Sequence, residues 1–354
     1  MVRSMMGIKR TTLTKIYHSR NVQVLVPGKR ALLVVMVLLL SFRAGLNGAA
    51  AAERIIIGSP GPSLSILPIE LAIRKGFFKQ EGLDVLHVTM RTNIIMNALL
   101  TGEIDYATPI GSVLRAATTG LPVRSVGILL DRPDYFLTVK PVIHSLKELK
   151  GKRIAIGNYG SSSDVALRAV LEQEGIDSVN GVQRLQMGGA SSRFAALVAG
   201  AVDATVTTIP YNLLAEKKGF KNLLWIGGRV EMPLSGLGVR LQKIDTAPGE
   251  IIKTLRAVSR AIDFAKNNQD ATIEALMNWT KIDRDAALAS YDLGKKSWPD
   301  YLITLDKPLQ AVVDQAVKEM QISKVPSLDR VREWTFAREV RRELESTTLQ
   351  KERR

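Results

Sequence analysis

The residues best suited to bind a charged ligand lie in a turn of small polar side chains. This turn, Asn158–Ser163, lies between the apolar strand pattern of Arg153–Gly157 and a helical pattern that begins at Asp164. Serine hydroxyls and the free backbone N–H groups at the start of a helix bind sulfonate, carboxylate or phosphate groups. The same residues are typical of a simple N-cap, in which a serine or Asp164 closes the helix. The turn therefore indicates either an anion site or a helix cap.

A second turn, Ser59–Ser65, has the same position after the strand pattern of Arg54–Gly58. Ligands of open α/β sheets bind outside the carboxyl ends of the strands, where both turns are expected. Tyr159 and Tyr211 could each close on an organic group, or belong to the core or rim instead. The turns and the tyrosines together favour a small-molecule site.

The chain contains no combination of residues with the spacing of a catalytic or metal site. Its three histidines are His18, His87 and His144, and none has a partner at ligand spacing. Zinc spacings, a P-loop and a nucleophile elbow are all missing from the sequence. The turn from Gly157 to Gly160 lacks the third glycine of a dinucleotide-binding fingerprint. We therefore predict no catalytic residue, no metal ligand and no cofactor.

Two stretches nearly a hundred residues apart, Ala98–Ala107 and Ala196–Thr205, have the same pattern. Each contains a helix end, a glycine that can adopt the left-handed conformation, and an acidic residue that leads into an apolar strand. Any α/β protein has several such joints, so coincidence is the alternative. The repeated pattern favours two similar α/β lobes that share a cleft. The turns that would face this cleft are Thr108–Ser112 and Thr207–Tyr211.

Residues 1–52 have the pattern of a secretory signal peptide. They contain eight basic residues and no acidic one, an unbroken apolar run at Ala31–Leu40, and a small-residue cleavage site at Ala50–Ala52. The apolar run is shorter than the about 20 residues that span a bilayer; an uncleaved membrane anchor is the alternative. We expect export to the periplasm or cell surface. The chain contains no cysteine, which argues against a lipoprotein and against disulfides.

Composition after this leader is that of an ordinary globular protein. The formal net charge falls from +15 to +7, because 41 basic residues then stand against 34 acidic ones. The basic residues are spread along the chain rather than clustered in a recognisable module, so we expect no nucleic-acid partner. From Glu53 onward strand and helix patterns alternate, and from Pro248 the pattern is helical only. This order predicts an α/β fold with mostly parallel sheets flanked by helices, and a helical C-terminal tail packed on the first lobe.

The segment Leu71–Val85 resembles the opening signature of solute-binding proteins for ABC importers. The segment Leu146–Ala155 and the two glycine–aspartate stretches resemble further landmarks of that family. The branch in question includes nitrate, taurine and aliphatic-sulfonate binders and a thiamine-precursor group. The resemblance covers roughly Arg54–Arg240, and its motifs are specific for the family but not for the ligand.

The resemblance implies the type II two-lobe periplasmic-binding-protein fold, whose lobes close on a ligand by hinge motion. Lobe 1 would comprise residues 53–138 and 238–354, and lobe 2 residues 139–237, with crossing strands near Phe136–Lys140 and Leu237–Leu241. The family's thiamine-precursor enzymes use a cysteine-rich motif, which this chain lacks. Carried over by position, the ligand-binding residues would be Ser59, Ser63, Leu64, Ser65, Thr108, Pro109, Gly111, Ser112, Asn158, Tyr159, Gly160, Ser161, Ser162, Thr207, Ile209 and Tyr211. Candidates for an anion-binding arginine are Arg91, Arg132 and Arg193.

These observations predict the extracytoplasmic solute-binding component of an ABC importer, which captures a small organic or oxyanionic solute between two lobes. Its partners would be this small molecule, a permease and the permease's ATPase, and we expect a monomer. One alternative is an enzyme on the same fold, acting in cofactor-precursor or menaquinone synthesis. The other is a solute-sensing receptor subunit that feeds a signalling partner. The secretory leader and the lack of paired acid–base residues favour the importer component.

Overall fold

The chain forms two five-stranded sheets. A computed structural model describes residues 52–352, and the predicted leader lies outside these residues. The strands of the described part are β1 (Glu53–Ser59), β2 (Leu83–Thr89), β3 (Tyr106–Ala107), β4 (Val123–Leu130), β5 (Tyr135–Val139), β6 (Arg153–Ile156), β7 (Gln183–Gln186), β8 (Ala204–Thr208), β9 (Lys221–Trp225) and β10 (Ser235–Arg240). The first sheet has the order β2-β1-β3-β10-β4, and the second has the equivalent order β7-β6-β8-β5-β9.

Helices cover both sheets and make up the C-terminal part of the chain. The α-helices are α1 (Leu67–Arg74), α2 (Phe77–Gln80), α3 (Thr92–Thr101), α4 (Ile110–Thr118), α5 (Ser162–Gln173), α6 (Ala190–Val198), α7 (Tyr211–Lys217), α8 (Leu241–Thr246), α9 (Pro248–Asn267), α10 (Gln269–Thr280), α11 (Arg284–Ser297), α12 (Asp306–Met320) and α13 (Thr335–Glu352). Short 3-10 turns lie at Leu64–Ile66, Leu146–Leu149, Ile226–Gly228, Asp300–Leu302 and Leu328–Arg330.

In each sheet four of the five strands run in the same direction, as the sequence pattern predicted, and one strand runs against them. In the first sheet β1 is parallel to β2 and β3, and β10 is antiparallel to β3 and β4. In the second sheet β6 is parallel to β7 and β8, and β5 is antiparallel to β8 and β9. β5 and β10 are the strands by which the chain enters one sheet from the other. Because no helical crossover within the sheet precedes them, they are free to pair in the antiparallel direction.

The repeated glycine–aspartate pattern has the same structural role in both sheets. Gly102 ends α3 with φ +86°, and Gly200 follows α6 with φ +74°, so both adopt the left-handed conformation. The carboxylate of Asp105 accepts a hydrogen bond from a backbone N–H of β1 at 2.8 Å. The carboxylate of Asp203 accepts one from a backbone N–H of β6 at 3.1 Å. Each repeat therefore joins the residues after a helix, through a hydrogen bond, to β1 or β6, the strand that leads to a ligand-facing turn.

The chain passes between the two sheets over residues 131–134 and 226–234. The predicted crossing strands at 136–140 and 237–241 instead lie largely in β5 and β10, inside the sheets. The passages touch each other, because the indole Nε1 of Trp225 donates a hydrogen bond to the carbonyl of Pro133 at 3.0 Å. The same carbonyl leaves no room for a Cβ at Gly227. The lobe boundaries that we propose therefore fall at these two passages.

The helical tail packs against elements of the first sheet. Helix α9 contacts α1 and α2, α13 contacts α9 and β4, and α12 contacts α4. The apolar spacing over 327–344 predicts a single helix, whereas the structure has a 3-10 turn at Leu328–Arg330 followed by α13. Among the described residues no helix combines the length and the hydropathy needed to cross a membrane.

Candidate ligand-binding site

A cavity of about 120 Å³ lies between the two sheets. An apolar cavity of roughly 150 Å³ holds a benzene molecule, so this one suits a ligand of a few heavy atoms. Residues from both sheets and their turns contribute to its wall: Pro60, Gly61, Pro62, Ser63, Ser65, Ile66, Thr92, Thr108, Pro109, Ser112, Tyr135, Gly157, Ser161, Ser162, Ser163, Gly188, Gly189, Ala190, Ser191, Arg193, Thr208, Tyr211, Leu234 and Ser235. None of these residues is acidic.

Several helices begin at this cavity, among them α4, α5 and α6. Helices α4, α5 and α6 follow β3, β6 and β7, and residues of their first turns line the wall. None of the three has a side-chain hydrogen bond that caps its N-terminus. The first N–H groups of a helix have no partner within the helix, and they carry the positive end of its dipole. The parallel strand–turn–helix units therefore direct three positive helix ends at one small volume.

The turn before α5 is held by its own side chains. The hydroxyl of Ser163 accepts a hydrogen bond from the backbone of Gly157 at 2.9 Å, and the hydroxyl of Ser161 accepts one from Asn158 at 3.2 Å. The carboxylate of Asp164 accepts one from Gly160 at 2.8 Å. These side chains bond the turn rather than the helix end. The capping alternative is therefore not realised in α5, whose N-terminus stays free to meet a ligand.

Arg193 is the charged residue of the cavity wall. It is 5% exposed, and its Nε and Nη1 donate to the carbonyls of Val206 and Gly188 at 2.7 and 2.6 Å. Burial lowers the pKa of Arg193, and neighbouring Tyr135 and Asp134 act in the opposite direction. Two of the three guanidinium nitrogens are thus fixed by the backbone. Nη2 has no protein partner in the described part of the chain, so it is available to a ligand.

Asp134 is a buried carboxylate next to this arginine, in the first passage between the sheets. It is 2% exposed, and neither of its side-chain oxygens has a hydrogen-bond partner. Burial raises the pKa of Asp134 from 3.8 to about 7, although the residue's own backbone N–H and the charge of Arg193 oppose the shift. The carboxyl group is therefore largely protonated in mildly acidic solution, which leaves the charge of Arg193 uncompensated there.

We expect the Asp134→Asn variant to gain more stability at pH 8 than at pH 4.5. Between pH 4 and 7 the folded protein retains a proton that the unfolded chain has released, so stability falls as the pH rises through this window. A pKa difference of about 3 units corresponds to at most roughly 4 kcal/mol at pH 8. Thermal unfolding of both proteins at the two pH values measures the difference. An equal gain at both values would contradict this assignment of the proton.

Eight of the sixteen predicted ligand-binding residues come together in the cavity wall. They belong to four separate turns, two from each sheet, which is the arrangement expected for a cleft between two lobes. These residues remain our proposals for ligand contact: Ser63, Ser65, Thr108, Pro109, Ser112, Ser161, Ser162 and Tyr211.

Four of the other predicted residues are buried within the lobes. The hydroxyl of Ser59 bonds to Nε2 of His87 at 2.7 Å, and that of Thr207 bonds to Thr138 at 2.6 Å. Leu64 and Ile209 are 1% and 2% exposed and do not line the cavity. Side chains alternate along a strand, so Ser59 at the end of β1 and Thr207 in β8 face into their lobes.

The remaining four predicted residues lie beside the cavity rather than in its wall. Gly111 packs against Ser162, and Asn158 shapes the turn before α5 through its backbone. Gly160 packs against the guanidinium of Arg115. Tyr159 is 58% exposed, and its ring lies under Arg184, 5.2 Å from the guanidinium carbon.

The sequence interpretation missed one complete turn of the wall, Gly188–Ser191. This turn follows β7 and opens α6, so it has the same strand–turn–helix pattern as the turn before α5. The pattern could have been found, because the two glycines and the serine resemble the other turns. Arg91 and Arg132 are exposed and lie outside the wall, whereas Arg193 lies in it. Leu234 comes from the second passage and Ser235 is the first residue of β10; no local pattern indicates that either lines a site.

Among the residues that the structure describes, no group of three or more His, Cys, Asp or Glu side chains could hold a metal ion.

A family model described as NMT1/THI5 like matches residues 64–272, which is more than half of the chain. A curated relative is the 4-amino-5-hydroxymethyl-2-methylpyrimidine phosphate synthase THI11 of Saccharomyces cerevisiae, 33% identical over 100 residues. That alignment covers 27% of this chain and only 29% of the yeast protein. The riboflavin-binding protein RibY of Chloroflexus aurantiacus is 32% identical over 116 residues, which cover 31% of this chain and 33% of RibY.

Solved structures resemble the chain over most of its length. The periplasmic aliphatic sulphonate-binding protein SsuA of Escherichia coli has a TM-score of 0.64 at 19% identity, and the match covers 80% of this chain and 92% of SsuA. The periplasmic nitrate-binding protein NrtA of Synechocystis has a TM-score of 0.68 at 17% identity, with 83% and 89% coverage. A protein from Bordetella bronchiseptica has a TM-score of 0.73 at 19% identity, with 84% and 99% coverage. The two-lobe fold is therefore that of periplasmic binding proteins.

Proposed function

Because the chain belongs to the NMT1/THI5-like family, we propose that it is the solute-binding component of an ABC importer and captures a small oxyanion-bearing solute. The observation that carries this proposal is the charge of the cavity. Arg193 and the N-termini of α4, α5 and α6 face a space of about 120 Å³, and no acidic residue of the described part of the chain lies in its wall. Such a site favours a compact anion over a neutral or cationic molecule.

The size of the cavity narrows the ligand class further. A short alkanesulfonate, a nitrate-like ion or a small carboxylate has few heavy atoms, whereas riboflavin and a pyrimidine phosphate are much larger than this space. SsuA and NrtA, which are named as sulphonate-binding and nitrate-binding proteins, share the fold. This likeness supports the smaller anions as the first class to test.

The mechanism follows from the division of the wall between two sheets. Ser63 and Thr108 lie on the side of the first sheet, and Arg193 and Ser162 on that of the second. A ligand that contacts both sides stabilises the arrangement in which the lobes meet, and so shifts the equilibrium toward it. A permease and its ATPase would then receive the closed protein at the membrane. Export to the periplasm or cell surface belongs to this proposal.

A second candidate is an enzyme on the same fold, which the match to the yeast synthase favours. The family's enzymes of this kind use a cysteine-rich motif, and the present chain contains no cysteine. A solute-sensing receptor subunit would use the same cavity and differ only in its partner. Turnover of a bound ligand separates the enzyme from the binder, and the neighbouring membrane component separates transport from sensing.

A thermal-shift screen with pairs of ligands that match in shape but differ in charge tests the proposal. Methanesulfonate and methanesulfonamide have nearly the same shape but differ in charge, and acetate and acetamide form a second pair. At 100 times the dissociation constant a ligand adds about 2.7 kcal/mol to stability, which is a rise of several degrees. We expect such a rise with anions alone. Equal shifts with both members of each pair, or none with any small anion, would contradict the proposal.

A further inference from the structure

Outside the cavity, one carboxylate lies between two arginines that belong to different sheets. Glu319, in the last turn of α12, forms an ion pair with Arg115 of α4 at 2.6 Å and a second ion pair with Arg168 of α5. Helices α12 and α4 pack together beside the first sheet. Helix α5 belongs to the second sheet, because it follows β6 and packs against β5. The pair between Glu319 and Arg168 therefore crosses from one lobe to the other.

All three side chains are removed from solvent. The side chains of Arg115 and Arg168 are each 10% exposed and that of Glu319 is 14% exposed. Burial lowers the pKa of both arginines. Nη1 of Arg115 and Nε of Arg168 are buried without a hydrogen-bond partner. Glu319 pairs with both cations, and the charge of Asp164 acts on both as well. Without Glu319 the two arginines would repel each other more strongly across the interface.

The cluster also adjoins the turn that opens α5. A Cβ placed on Gly160 would lie 3.0 Å from Nε of Arg115, so the guanidinium rests against this turn. The next acidic side chain, Asp164, bonds both to Gly160 and to Arg184, at 2.8 and 2.6 Å. Arg115 of the first lobe therefore contacts the backbone of the second lobe, directly beside a wall of the cavity.

We propose that Glu319 is an ionic latch, by which the helical tail holds the two lobes in contact. Opening of the lobes separates Glu319 from Arg168 but leaves it paired with Arg115, because these two residues lie on the same lobe. The latch acts through lobe position and not through contact with the ligand. The latch gives the C-terminal helical tail a role in the closure of the two lobes, and this role does not depend on which solute is bound.

Spin labels test the latch without any ligand. Helices α3 and α6 both begin at the cavity, one on each lobe. Cysteines introduced at Ile94 and Val198, which are 50% and 41% exposed, would be the protein's only thiols. Pulsed electron–electron double resonance then measures the distance between the two spin labels. We expect a short-distance closed population in the parent protein, and at least a threefold smaller closed fraction in Glu319→Gln.

Two further variants separate a latch from a merely structural role. In Glu319→Gln with Arg168→Gln the repulsion between the two cations is removed, so part of the closed fraction should return. Glu274→Gln changes an exposed glutamate of α10 and should alter nothing. If Glu319→Gln fails to fold, Arg168→Gln alone, which leaves Glu319 paired with Arg115, should still lower the closed fraction. Unchanged distances in a folded latch variant, or a parent protein without a closed population, would overturn the proposal.

Discussion

The Arg193→Gln variant is expected to bind methanesulfonate at least 100-fold more weakly than the parent protein. Truncating one partner of a buried charge-assisted hydrogen bond costs about 2–5 kcal/mol, and about 2.8 kcal/mol corresponds to 100-fold in affinity. Arg193 is the cation of the cavity wall, and the backbone fixes two of its nitrogens. Glutamine removes both the positive charge and the planar set of guanidinium N–H donors, so we expect other groups to compensate little of the lost binding energy.

Controls for this variant are available among the other arginines. Arg91→Gln and Arg132→Gln remove the same charge from exposed positions outside the wall, and each should retain affinity within about twofold. Arg193→Gln also leaves two backbone carbonyls without their donor, so thermal unfolding must be measured beside isothermal titration. A folded Arg193→Gln protein with unchanged affinity would show that the anion is bound elsewhere.

The Gly111→Val variant is expected to lose at least 10-fold in affinity while its thermal stability changes little. Gly111 lies in the first turn of α4, and a Cβ there would lie 2.5 Å from the hydroxyl of Ser162 and 3.6 Å from its Cβ. The φ angle of Gly111 is not positive, so its own backbone accepts a larger residue. The clash arises between lobes, because α4 and α5 belong to different sheets. Valine should therefore hinder closure without unfolding either lobe.

Alanine at the same position should have a smaller effect, because the hydroxyl of Ser162 can rotate away from a single methyl group. The matched control is Gly249→Val, which also changes a glycine in the first turn of a helix, but with no atom within 4 Å of the added Cβ. Titration with methanesulfonate measures the affinities, and calorimetric unfolding measures stability. A loss of stability that parallels the loss of affinity would indicate damage within a lobe instead.

Local patterns predicted most of the secondary structure because each unit of strand, turn and helix has its own signals. The sequence predicts a strand at Val123–Leu130, which has these bounds in the structure, and the glycine–aspartate repeat correctly indicated two equivalent units. The sequence also predicts a strand over Ile104–Pro109, but this strand is only two residues long, since Pro109 already opens α4. The one antiparallel strand in each sheet, β5 or β10, was not predicted, because its direction depends on how the chain passes between lobes and not on any local spacing.

Half of the residues proposed for ligand contact lie in the cavity wall, and the reason is related. A strand-end turn shows that a ligand can lie nearby, but which of its side chains face the ligand depends on the register of both lobes. Thus Ser161 and Ser162 line the cavity, whereas Tyr159 of the same turn points to the outer surface. The role of Arg193 follows from the position of α6 beneath the cavity, and that of Glu319 from the packing of α12 between the lobes. Arg193 was one of three candidate arginines, and only the tertiary structure distinguishes it from the other two, whereas nothing in the sequence indicated Glu319.

The central claim is that an anion is bound between the lobes and released unaltered. Isothermal titration of the purified protein with methanesulfonate and methanesulfonamide, followed by mass spectrometry of the recovered ligand, tests it most directly. We predict one bound methanesulfonate per chain, at least 10-fold weaker binding of the sulfonamide, and complete recovery of the unchanged ligand. Equal affinity for both compounds, or chemical conversion of either one, would contradict this account.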